Sequence, residues 1–132
     1  MAIQEANVIV DLQADAFQSL FYETLDYHRS DVAAFYQETS TVLWNGTRIT
    51  SAAAIDRFFK EMPVSKHTVT SYDIQPMADD LLVTVAGNVR YGIDQEFAFH
   101  QTFILQRDRR NLPPSNRYFI VLDTFRCHKQ RV

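Results

Sequence analysis

The chain is poor in the groups that build covalent, phosphate or metal chemistry. Its single cysteine, Cys127, has no partner for an internal disulfide, so an intracellular setting is expected. The three glycines, Gly46, Gly87 and Gly92, are never grouped, which excludes a glycine-rich phosphate loop. His28, His67, His100 and His128 stand apart, none at metal-ligand spacing with another histidine, cysteine or acid. No metal and no cofactor are expected. No apolar run approaches the ~20 residues of a membrane span, and the opening Met-Ala-Ile-Gln-Glu-Ala does not read as a signal peptide. A net charge of -3 gives the domain no electrostatic reason to bind nucleic acid.

What remains is apolar and aromatic. The 132 residues, 46% hydrophobic and 22% charged, suffice for one domain spanning 1–132. Ten Phe, six Tyr and one Trp suit a curved sheet or an interface. The most informative stretch is Phe97–Gln106, ten residues without a charge. At a period of two, Phe97, Phe99, Phe103 and Leu105 fall on one side, and Ala98, His100, Thr102 and Ile104 on the other. The second side is too polar for a core and too uncharged for a solvated face. Leu81–Val89 and Tyr118–Leu122 are also charge-free. Three such strands imply a sheet covered on both faces, whereas the chain supplies a cover for one.

In order, Val8 to His28 predicts an amphipathic helix through Phe17, Leu20, Phe21 and Leu25. A short helix follows from Asp31, its expected N-cap, to Tyr36. Thr39–Leu43 and Thr47–Ile49 read as a hairpin joined at Asn45-Gly46. Thr50 or Ser51 caps a helix with Ile55, Phe58 and Phe59 on its face, ending near Pro63. Strands are expected at 66–76, Leu81–Tyr91, Phe97–Gln106 and from Arg117 to about His128, with an exposed loop at Arg107–Arg117. The fold class is α+β: a cone-like curved, mostly antiparallel sheet wrapped around a long N-terminal helix and two shorter ones.

Among the acids, Asp123 shares its strand side with Phe119, Val121, Phe125 and Cys127. Buried, it would serve as a general base or bond backbone amides or an arginine. Cys127 reads as an inert core thiol. The basic cluster at Arg107–Arg117 is either a solvated tip or an RNA contact beside Tyr118. Arg126 is expected on the outer face with Tyr118, Ile120, Leu122 and Thr124, where a cation among exposed aliphatics fits a partner's carboxylate.

Five motifs in order resemble the nuclear transport factor 2 family: Val42-Leu43-Trp44-Asn45-Gly46, Phe58-Phe59…Met62-Pro63, Gln75-Pro76, Phe99-His100-Gln101-Thr102-Phe103 and Asp123-Thr124-Phe125-Arg126. The Trp-Asn-Gly form is similar to the export branch. That resemblance implies a non-catalytic adaptor that heterodimerises with the similar domain of the large messenger RNA export receptor. Such a pair works in nucleus and cytoplasm and at the nuclear pore, meeting nucleoporins through the heterodimer, RNA indirectly and membranes not at all. It also implies a partner-binding face of Arg126, Thr124, Leu122, Ile120, His100, Thr102 and Ile104, and a cone interior lined by Trp44, Phe99, Phe103 and Phe125. The alternatives are the homodimeric Ran-GDP import carrier and a small cone-pocket isomerase or dehydratase using Asp123. The import branch carries a Glu after the tryptophan and two acids before its Phe-His-Gln motif. Here those positions hold Asn45, Gly92 and Asp94, so one acid of three is kept. The enzyme alternative requires a second polar catalytic group inside the cone.

Overall fold

The computed structural model describes residues 16–93, 95–107 and 118–129. Its frame is one six-stranded sheet: β1 (Tyr36–Trp44), β2 (Thr47–Thr50), β3 (Ser65–Met77), β4 (Asp80–Tyr91), β5 (Glu96–Arg107) and β6 (Tyr118–Lys129). The spatial order is β2-β1-β6-β5-β4-β3. Every neighbouring pair is antiparallel except β1 and β6, which run parallel. That parallel seam joins the early hairpin to the late strands, a long-range pairing with no local sequence signal.

The helices line the inner face. Helix α1 (16–27) buries Phe21, Tyr22 and Leu25, with Phe17 partly buried beside them. Leu20, expected on that face, is 55% exposed, whereas Gln18, read as polar surface, is buried. A 3₁₀ helix (Arg29–Phe35) follows, buries Val32 and begins after His28, so Asp31 lies in its first turn and is not its cap. Helix α2 (Ala52–Glu61) is capped as expected by Ser51, whose Oγ accepts from the Ala54 N–H at 3.2 Å. Its Ile55 and Phe59 are buried, and both Phe58 and Phe59 meet the Trp44 ring.

Arg29 ties these helices to the sheet. It donates to the carbonyls of Leu25, Phe59, Met62 and Pro63 and to Ser65 Oγ, all between 2.6 and 3.0 Å. Partial burial lowers its pKa, with Asp26 opposing that shift. One guanidinium thereby gathers carbonyls from the end of α1, the end of α2 and the segment that follows it.

The alternation of β6 breaks once. A register shift opposite Ile104/Leu105 inserts Val121 between Ile120 and Leu122. Asp123 and Phe125 face inward as expected, but Ile120 does too, fully buried against the core. Ile120 is therefore removed from the outer face. On β1, Ser40 stitches the matching irregularity, its Oγ donating to the Ile120 carbonyl at 2.6 Å.

Candidate functional site

The inner face is built first by rings. Trp44, Phe99, Phe103 and Phe125 are all buried, as the interior assignment requires. Trp44 stacks on Phe125 with centroids 3.9 Å apart, and Phe125 stacks on Phe99 at 5.4 Å. Phe103 takes the edges of Phe17 and Phe21 from α1. These rings fill the interior against one another and the helices.

Polar groups thread this aromatic core. Tyr22 Oη donates to Gln101 Oε1 at 2.7 Å, Gln101 Nε2 donates to Asp123 Oδ1 at 2.7 Å, and Tyr36 Oη donates to Asp123 Oδ2 at 2.6 Å. Asp123 thus meets a glutamine and a tyrosine rather than backbone amides or an arginine. Burial pushes its carboxyl up to about 6, opposed by the hydrogen bonds from Tyr36 and Gln101. Burial, and then the Asp123 charge, push the Tyr22 and Tyr36 phenols well above their usual range. Both carboxylate oxygens are engaged, and the chain of donors ends on them. That arrangement fixes a core.

A second buried acid was not legible in sequence. Asp26 of α1 accepts from Ser65 Oγ at 2.8 Å and from the His67 N–H at 2.7 Å. Its Oδ1 also lies 2.7 Å from His67 Nδ1. The His67 side chain has no exposure, and its ring packs near Tyr22, Phe99 and Phe125. On the other side of the ring, Nε2 is buried and without a hydrogen-bond partner. Asp26 and His67 lie 41 positions apart, on a helix and a strand, so no motif spacing pairs them.

The outer face is built by register. His100 opposes Arg126, Thr102 opposes Thr124, and Ile104 opposes Leu122, three cross-strand pairs in adjacent columns. Six of the seven expected face residues are thus brought together, and Ile120 is not. Thr102, Ile104, Leu122 and Thr124 are half-buried, while His100 and Arg126 are exposed. On one flank Thr41 and Leu43 of β1 continue the surface beside Leu122 and Thr124; on the other, Leu82, Thr84 and Ala86 of β4 oppose Ile104, Thr102 and His100. These five were missed because each strand was read alone. Among the described residues no helix covers this face.

Arg126 leans over the β1–β2 turn: a Cβ placed on Gly46 would lie 3.8 Å from its Nη2. Asn45, at φ 51°, builds that turn. Its Oδ1 accepts from the Cys127 N–H at 2.9 Å, and its backbone N–H reaches the Phe125 carbonyl at 2.8 Å. Gly92 stands at φ 59° and donates to the Val64 carbonyl. Neither position carries a carboxylate, and each does conformational work; Asp94 lies outside the described residues. Arg107 is engaged by Tyr118, donating to its Oη at 3.2 Å, while the rest of the basic loop, 108–117, also lies outside them.

Comparison with known proteins follows this geometry. The chain is 30% identical over 121 residues to NTF2-related export protein 1 of Bos taurus, covering 86% of this chain and 84% of that protein. It is 31% identical over 123 residues to nuclear transport factor 2 of Oryza sativa subsp. japonica, covering 89% and 96%. The two identities are too close to separate those relatives. Among solved structures, nuclear transport factor 2 of Cryptosporidium parvum superposes with a TM-score of 0.82 at 24% identity, covering 90% of this chain and 94% of that one. A chain from the Candida albicans Mtr2–Mex67 M domain complex superposes at 0.72 and 15% identity, covering 91% and 96%. The Nuclear transport factor 2 (NTF2) domain matches residues 13–127, and the chain belongs to that family.

Proposed function

We propose that this chain is a non-catalytic adaptor that pairs, through its outer sheet face, with the NTF2-like domain of a larger messenger RNA export receptor. The observation that carries the reading is the bare face of paired Thr, Ile and Leu side chains edged by Arg126. A sheet face of this composition loses little by leaving water, and a stable pair needs about 1,600 Å² of total buried surface. Arg126 meets a receptor carboxylate. The pair works at the nuclear pore, between nucleus and cytoplasm; nucleoporin contacts belong to the pair, and RNA is reached indirectly. Relatives named as export proteins, and a structural neighbour from the Mtr2–Mex67 M domain complex, support the export reading. Against the Ran-GDP carrier stands the absence of carboxylates at Asn45 and Gly92.

One observation favours a second reading, a small-molecule enzyme. The Asp26–His67 pair holds an imidazole inside the core, and its Nε2, buried without a hydrogen-bond partner, is the polar group that such a reading requires. It is sealed among rings and separate from the Asp123 network.

The test is the mass of the purified chain, alone and mixed with the receptor domain, by light scattering. A one-to-one complex is expected. A homodimer that ignores the receptor domain contradicts the proposal.

A further inference from the structure

The outer face carries a second charged feature beside Arg126. His100 of β5 opposes Arg126, and His128 of β6 opposes Ala98, one step diagonally away. The rings of His100 and His128 approach to 6.3 Å between centroids, and both residues are exposed. Because the Arg126 guanidinium leans the other way, over Gly46, the two imidazoles form their own pair at the edge of the apolar patch.

Other charged groups on the face include Asp73 of β3, two strands from β5 beyond Thr84, and Arg48 of β2, beyond Leu43 on the Arg126 side. Across β4, Arg90 opposes Glu96 of β5, so the nearby acid already faces a cation. Lys66 of β3 lies beyond Arg90 in the same row. Directly across from His100 on β4 is Ala86, and next to it along the strand face are Thr84 and Asn88, none of them charged. Like charges across a sheet repel. Among the described residues no carboxylate stands directly opposite either imidazole, and a partner that brings one supplies what the free chain lacks.

We infer that the face docks an acidic partner surface with at least two carboxylates, one for Arg126 and a second held between His100 and His128, so that pairing tightens as the histidines take up protons. This rests on the proposed sheet-to-sheet pairing and adds to it the partner's chemistry and a pH response. An imidazole pair can donate from two directions to one carboxylate, which a single arginine already turned to the hairpin cannot do. Imidazole as a class changes charge between about pH 5 and pH 8, so this second contact is graded where the arginine contact is constant.

The test is titration calorimetry of the receptor's NTF2-like domain with the wild-type chain and with His100→Gln/His128→Gln, from about pH 7.5 to about pH 5.5. The wild-type pair is expected to tighten roughly five- to tenfold on acidification, and the double variant to lose most of that gain while still binding near neutrality. Melting curves of each chain alone check that both are folded. An equal pH response in the two chains, or none in the wild type, overturns the inference and leaves the pairing standing. No binding by either chain at any pH overturns both.

Discussion

Trp44 and Phe125 are register partners across the parallel β1–β6 seam, and their rings stack at 3.9 Å with planes 9° apart. This contact joins the early hairpin to the late strands, with Phe58 and Phe59 of α2 closing over the indole. Truncating either ring opens a void where backbone pairing cannot compensate. Trp44→Ala or Phe125→Ala should each cost about 3–5 kcal/mol in urea unfolding. A loss below ~1 kcal/mol would mean that the seam holds without the stack.

Asp123 makes the fold sensitive to pH. Its carboxyl sits at about 6 in the folded chain against 3.8 for the ordinary side chain, so the folded state binds the proton more tightly than the unfolded one. The stabilisation from that proton is fully present below about pH 4 and is lost as pH rises through about 6. The difference amounts to about 3 kcal/mol. Asp123→Asn, which cannot ionise, should flatten this part of the stability–pH curve. Unfolding free energies at closely spaced pH values for both chains would show it, and identical slopes would remove Asp123 as the cause.

Arg29 is the next sensitive point, because its five acceptors need a planar fork. Lysine keeps the charge and loses the geometry. Arg29→Lys should cost about 2–3 kcal/mol, read as a drop in melting temperature. An unchanged melting curve would show that water replaces the fork.

Asn45 joins conformation to partner choice. Its positive φ and its bond to the Cys127 N–H belong to the turn beneath Arg126. Asn45→Ala should cost about 1–2 kcal/mol of stability. Calorimetric titration with Ran-GDP should give no measurable heat from the wild-type chain, for want of carboxylates here and at Gly92. Micromolar Ran-GDP affinity would restore the import reading.

Much of this architecture was legible in residues that obey one local rule. Asn45-Gly46 announced the hairpin, Ser51 the cap of α2, and the alternation through Phe97–Gln106 placed Phe99 and Phe103 inside and Thr102 and Ile104 outside. What escaped depends on distant contacts. The bulge at Val121 turns Ile120 inward, and no period-two pattern records an inserted residue. Gly87 is needed because a Cβ there would lie 2.1 Å from the Thr68 carbonyl oxygen, where the β3–β4 register shifts between Val69 and Ser71. The parallel β1–β6 pairing, the Tyr22–Gln101–Asp123–Tyr36 chain and the Asp26–His67 pair each join segments far apart in sequence.

The central claim is that the outer sheet face is the pairing surface, and Arg126 tests it most directly. Its side chain is exposed and points away from the chain's own core, so reversing its charge should leave the melting curve of the isolated chain nearly unchanged. In the pair, Arg126→Glu would set two carboxylates together in a poorly solvated interface. The expected loss is about 3–5 kcal/mol, a roughly 100- to 5,000-fold weakening. The measurement is the calorimetric affinity of the receptor's NTF2-like domain for the wild-type and Arg126→Glu chains. Collapse of binding with the fold intact is the predicted result. Undiminished affinity would contradict the claim and take Arg126 out of the interface.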